Sequence, residues 1–382
     1  MLRSYWLLAG IAAAALGVWV APGCGSSAES HPGTGGTSSG TTTTTGTTST
    51  TGTGGGSTGM HAEPPGPPAM MAPDGTGNVT FAISELFLGD TDRDGTPDMV
   101  NGWKQYGFDI DGIIAAPPYT NLCKPVDAAS PSVHTNGNNG IDNSFGRNIL
   151  PIILGISSSA SQKINQGITS GKFTIMLSMV NLGSGANYNP LVTRLYGGAD
   201  LGMNPKFDGT DTWPVLPQLL NDPTDITSAK VQFMTSYVNN NTWVSGGKGT
   251  VDLMLSVDSF SLDLTISGAQ IAFDMDSAHK TGTNGTISGV LNTQALITEL
   301  KSVAGAFDPA FCDPNNTTFQ SIATEIAQAS DILSDGTQDP QKTCDGISIG
   351  IGFNASLVQL GPIAAPTMGS PSPCADAGAD GG

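Results

Sequence analysis

The chain has 382 residues, 51 of them glycine, with only 12% charged and 6% aromatic. Its 32 acidic residues against 14 Lys and Arg leave a formal net charge of −18, which repels a polyphosphate and excludes nucleic-acid binding through a basic surface. A coiled coil or helical bundle is excluded too, since it would need far more Glu, Lys, Leu and Arg.

The N-terminus reads as an export signal. Arg3 gives a positive n-region, and residues 6–20 form an apolar stretch. A bilayer span needs about 20 apolar residues, so this one suits a signal peptide better than an anchor. Ala21 and Gly23 precede Cys24, an arrangement that resembles the lipobox of bacterial lipoproteins. That resemblance implies a signal peptide over 1–23, lipidation of Cys24, and, with Gly25 next, delivery to the outer membrane. Residues 33–59 contain only Gly, Ser and Thr, and residues 64–68 are Pro-Pro-Gly-Pro-Pro. No apolar side chains offset ordering entropy there, so residues 24–77 are expected to be a disordered tether.

A folded domain is expected over 78–365, with a flexible tail at 366–382. Its elements read mostly as strands. Val251, Leu253, Leu255 and Val257 alternate with polar residues, followed by Phe260, Leu262, Leu264 and Ile266, then by Ala269, Ile271, Phe273 and Met275. Period-two alternation in three successive runs predicts a three-stranded antiparallel meander. Further strands are expected at 79–88, 172–180, 231–238 and 347–355. Helices are expected from an Asn292 cap through Val303, from a capping box at Thr317 and Gln320, and over 159–170. The sum is a mainly β fold, an antiparallel β-sandwich or jelly roll with two or three short helices.

Four cysteines lie beyond Cys24, an even set in an exported chain, so Cys123, Cys312, Cys344 and Cys374 are expected in disulfides. The preferred pairing is Cys312–Cys344, around the helical segment, with Cys123–Cys374 left by elimination. None has the spacing of a thiolate metal motif.

The sharpest motif is Asp90-Thr91-Asp92-Arg93-Asp94-Gly95-Thr96-Pro97-Asp98. It resembles the calcium loops of EF-hands, dockerins and thrombospondin type 3 repeats. By that pattern Asp90, Asp92 and Asp94 supply side-chain oxygens, Thr96 its carbonyl and Asp98 a direct or water-bridged contact. The twelfth position is Asn101, not a bidentate acid, so Asp109 and Asp111 are expected to complete the shell of a structural Ca2+. A weaker loop of the same kind runs from Asn136 to Asn143.

Enzyme motifs mostly fail. Gly346-Ile347-Ser348-Ile349-Gly350 fits G-x-S-x-G, but Ser348 lies in an alternating run where a nucleophile elbow needs a strand, a sharp turn and a helix. Asp274 and Asp276 could pair for glycoside hydrolysis, yet both sit on the polar face of a strand. Trp213 and Trp243 stand beside polar loop residues and could stack sugar rings. The lipobox, the tether, the Asp loop, residues 103–112 and Gly140-Ile141-Asp142-Asn143-Ser144-Phe145-Gly146-Arg147-Asn148 together resemble a family of myxobacterial lipoproteins. The resemblance implies location and build, and carries no activity. The expectation is a lipid-anchored, calcium-stabilised envelope protein, a surface binding or structural module without catalysis, with a membrane and an envelope polysaccharide or protein as partners. A carbohydrate-binding module using exposed Trp and an exported hydrolase are the alternatives.

Overall fold

Ten strands carry the fold in the computed structural model, which describes residues 61–366 apart from 128, 258 and 259, together with Cys374. The residues expected to form the signal peptide, Cys24 and the expected tether up to residue 60 lie outside the described residues, as does the expected tail apart from Pro366 and Cys374. The strands are β1 (Val79–Phe87), β2 (Thr174–Met179), β3 (Tyr188–Gly198), β4 (Thr212–Val215), β5 (Val231–Asn239), β6 (Thr242–Val244), β7 (Gly249–Val257), β8 (Phe260–Met275), β9 (Thr281–Asn292) and β10 (Gly346–Ile363). Four α-helices accompany them among the described residues: α1 (Leu150–Ile156), α2 (Ala160–Thr169), α3 (Thr293–Phe307) and α4 (Thr317–Gln328).

The class is mainly β, as expected, and all ten strands belong to one mixed sheet. Antiparallel pairings run from β1 through β2, β3, β5, β6, β8, β9 and β10 and back to β1, so the sheet closes on itself. The two faces that a sandwich keeps in separate sheets are here joined along both edges. Closure removes the unpaired edges that an open sheet of this size would expose. β7 follows β6 along the long β8, and β4 adds a short parallel pairing to β10.

Alternation decides which face is buried. Val251, Leu253, Leu264, Ile266, Ile271 and Phe273 are buried, while Asp252, Asp263 and Thr265 are exposed. The expected three-stranded meander is two strands, because Gly268 (φ +59°) kinks β8 where a turn was read. Glycine alone takes that conformation without a Cβ penalty, so the strand bends and continues. Inside, Phe273 meets Phe81 edge-on at 5.2 Å and Trp243 at 5.6 Å. A second apolar cluster, Ala82, Met176, Tyr196, Trp213, Val215 and Val358, lies on the opposite face of β1, β2 and β10. Helix α3 begins at Asn292, whose side chain accepts from the Ala295 N–H, as expected. For α4 the cap is Asn316, one residue before the Thr317 read from sequence.

Two further expectations are corrected. Residues 61–77, assigned to the tether, are laid along the domain. The Tyr237 hydroxyl donates to the Pro65 carbonyl (2.6 Å), Met71 bridges to Asn189, and the Tyr188 hydroxyl donates to Asp74 (2.7 Å). Pro-rich backbone lacks N–H donors of its own but offers carbonyls to such hydroxyls. The disulfides are Cys123–Cys344 and Cys312–Cys374, not the pairing preferred from sequence. Backbone bonds between Lys124 and residues 342 and 344 draw the first pair to a Cα separation of 5.2 Å. Residues 309–312 pack on α3, which places Cys312 against Gly305 and Cys374.

Candidate metal centre

The Asp90–Asp98 loop folds as a tight turn built on its own side chains. Asp92 Oδ1 accepts from the N–H groups of Asp94 (3.0 Å) and Thr96 (2.9 Å). Asp98 Oδ1 accepts from those of Val100 (3.2 Å) and Asn101 (2.9 Å). Arg93 pins the loop to the domain: it donates to the carbonyls of Gln105 (3.0 Å) and Gly285 (3.1 Å) and to Thr286 Oγ1 (3.0 Å). Its guanidinium also stands 5.0 Å from the centre of the Tyr106 ring. Gly102 closes the turn, since a Cβ there would lie 2.4 Å from the Thr91 carbonyl oxygen.

The carboxylates that converge are others. Among the described residues, Asp109, Asp111 and Asp142 each bring an oxygen within 4.8 Å of the other two. Asp109 and Asp142 are buried and Asp111 partly so. The sequence reading thus placed Asp109 and Asp111 in a metal shell, but their partner is Asp142 of the weaker Asn136–Asn143 loop. Asp90, Asp92, Asp94 and Asp98 form no such group among the described residues.

Each acid is held by local backbone. Asp109 Oδ1 accepts from Gly112 N (2.8 Å) and Ile113 N (3.1 Å), and its Oδ2 meets His61 Nδ1. Asp111 Oδ1 accepts from Ile113 N (2.8 Å) and its Oδ2 from Gln338 Nε2 (2.8 Å). Asp142 Oδ2 accepts from Ile110 N (2.8 Å) and Asp111 N (3.4 Å), and its Oδ1 from Asn136 Nδ2 (2.5 Å). Gly140 (φ +86°) lets the second loop approach, for a Cβ there would sit 2.8 Å from Asp109 Oδ2.

Burial, reinforced by the neighbouring charges of Asp111 and Asp331, holds the Asp142 carboxyl well above the ordinary carboxylate range. Burial likewise raises Asp111. His61 is raised by its hydrogen bond to Asp109 and by that group's charge. Oxygens bound to one calcium at about 2.4 Å stand at most about 4.8 Å apart. The donor set, hard carboxylate oxygens on fixed backbone, suits a hard divalent cation.

The segment Asp142-Asn143-Ser144 ties this group to the sheet. Asn143 Nδ2 lies 3.0–3.1 Å from the carbonyls of Trp103, Tyr106 and Gly350, and its Oδ1 accepts from Gly146 N and Gly350 N. Ser348 Oγ accepts from Ser144 N (2.8 Å) and donates to Asp331 Oδ2 (2.5 Å). Complete burial pushes the Asp331 carboxyl up to about 7.

The remaining candidates are placed as follows. Trp213 and Trp243 are both 0% exposed, so neither can offer a ring to a sugar, and that expectation is overturned. Trp213 fills the outer cluster and donates to the Ala199 carbonyl, while Trp243 fills the interior and donates to Thr193 Oγ1. Ser348 is buried near the start of β10, and His279 Nδ1 bonds to the Gly183 carbonyl. Asp274 is spent on Thr242 and Asn284, and Asp276 on the backbone of the turn at Lys280 and Thr281. Asp142 was legible as part of an oxygen-rich loop. His61 and Gln338 were not, because they reach the cluster from 48 and 227 residues away.

No family model, no curated protein and no solved structure matches this chain.

Proposed function

We propose that the chain is a lipid-anchored cell-envelope protein whose β-domain is stabilised by calcium, acting as a surface binding or structural module without a catalytic step. The observation that carries this reading is the convergence of Asp109, Asp111 and Asp142. Three carboxyls packed so closely repel one another when ionised, and a divalent cation removes that cost. The lipobox-like Ala21-Pro22-Gly23-Cys24 supports attachment at Cys24, and the glycine- and threonine-rich stretch behind it gives the domain reach from an outer membrane. The partners that fit are an envelope polysaccharide or another envelope protein.

Calorimetry on chelator-treated protein tests the metal. One calcium per chain should bind, and Asp142→Asn should abolish binding; a silent titration would remove the reading. Attachment is tested by growing cells on labelled fatty acid, where label should enter the wild-type chain and not Cys24→Ala.

A further inference from the structure

A second constellation shares no residue with the acidic group, although Gln338, which donates to Asp111, also accepts from Cys123 N. Cys123, Cys344 and His134 are 1%, 2% and 3% exposed, and both sulfurs and a ring nitrogen of the histidine lie within 4.8 Å of one another. They come from two strands of chain joined by the Lys124–Thr343 bridge and from the 3-10 turn Pro131–His134. In the oxidised chain the sulfurs are bonded to each other.

The histidine has a feature that the disulfide does not need. Its Nδ1 is 2.9 Å from the Asp331 carbonyl, which fixes the ring and places the proton on that nitrogen. Its Nε2 is fully buried and makes no hydrogen bond. Leaving a buried polar atom unpaired costs about 1–3 kcal/mol, so folds rarely retain one without use. A histidine that donates one N–H to a backbone carbonyl and presents the other nitrogen free is the arrangement found behind metal-bound imidazoles.

We propose that the reduced chain holds a thiophilic divalent cation of the zinc type at Cys123, Cys344 and His134, and that closing the disulfide abolishes the site. Soft thiolates with one imidazole select such a cation over calcium. Tetrahedral ligands at zinc bond lengths stand about 3.5–3.8 Å apart, so reduction needs the sulfurs to part by only about 2 Å. The chemistry balances. A dithiol reductant delivers two electrons and two protons to the Cys123–Cys344 bond and is itself oxidised to a disulfide. The two thiols formed then lose two protons to solvent as the cation binds. A fourth position stays open for water. The function that follows is to hold residues 123 and 344, separated by 221 positions, in place before the bond closes.

Cobalt is the probe, because thiolate ligation gives it charge-transfer absorption and tetrahedral geometry gives it intense visible bands. The full chain is reduced with excess phosphine, which takes its oxygen from water, and titrated anaerobically with Co2+. The expected result is both band sets at one equivalent, bleached by one equivalent of Zn2+, and neither in the oxidised chain. Cys312→Ser/Cys374→Ser, which lacks the other disulfide, should give the same spectrum. His134→Asn keeps a donor towards Asp331 but removes Nε2, and should weaken cobalt binding by more than about 100-fold, beyond the roughly 10–100-fold that loss of an outer partner costs. The proposal is overturned if the reduced chain gives no such bands, if they vanish in the double variant, or if His134→Asn binds cobalt as wild type does. Failure here leaves the calcium reading untouched, since the residues are disjoint.

Discussion

The loop at Asp90–Asp98 and the group at Asp109, Asp111 and Asp142 are both acidic, yet they do opposite things with their carboxylates. In the first, acids at alternate positions turn back on their own chain, so Asp92 and Asp98 cap the N–H groups that a tight turn leaves unpaired. In the second, three acids from two loops face one another, and the backbone N–H groups hold them there. Local spacing therefore specifies a turn, and only the tertiary fold specifies a centre.

The largest expected effect lies in the second region. Asp142→Ala removes the acceptor for Ile110 N, Asp111 N and Asn136 Nδ2, three donors around a buried side chain. At about 1–3 kcal/mol per buried donor left unpaired, the loss should reach about 3 kcal/mol or more, read as a lowered denaturation midpoint in urea. A loss under about 1 kcal/mol would mean that the two loops are held together by something other than this carboxylate.

How much of this was legible follows from where the pattern is written. β7 and β8 could be read because their described inward positions, Ala269 apart, carry large aliphatic or aromatic side chains. β9 could not, because Gly282, Gly285 and Gly289 stand where a Cβ would meet Phe273, Phe353 and Ile266. Those side chains fill the inward space, so the strand shows no hydrophobic alternation of its own. Trp213 and Trp243 carry polar neighbours in sequence, yet both side chains belong to buried apolar clusters. The acidic group was half legible: Asp109 and Asp111 are expected beside a cation, but as the completion of the Asp90–Asp98 loop. That Asp142 lies beside them depends on Asn143 bridging Trp103, Tyr106 and Gly350, contacts up to 207 residues apart.

Next in size is the response to pH. Asp331 titrates near 7 in the folded chain against an ordinary 3.8. Between about pH 4 and 7 the unfolded chain ionises this group while the folded chain keeps it protonated. The unfolded state then binds fewer protons, so stability falls as pH rises, by up to about 1.4 kcal/mol per unit, and the penalty is complete above 7. Asp331→Asn should flatten that slope in urea titrations from pH 4 to 8. Asp142 and Asp111, also raised, add to the slope in the same direction. Calcium at about 100 times its dissociation constant should add about 2.7 kcal/mol at pH 8 and clearly less at pH 5, where protons compete for the same oxygens. Equal stabilisation at both values would mean that the cation does not sit on those carboxyls.

The smallest effect discriminates most sharply between the two regions. Asp92 is only partly buried and its Oδ1 accepts two N–H bonds within a solvated turn. Water can satisfy those donors when the carboxylate is gone, so Asp92→Ala should cost about 1 kcal/mol. Arg93 still ties the turn to Gln105, Gly285 and Thr286 in that variant, and the acids at 109, 111 and 142 keep their own backbone donors. Calcium affinity measured by calorimetry should therefore match wild type, although Asp92 is one of the residues that the sequence pattern makes ligands. If Asp92→Ala abolishes binding and Asp142→Asn does not, the cation belongs to the Asp90–Asp98 loop. Its carboxylates would then have to leave the N–H groups they now cap, and the comparison between the two regions would reverse.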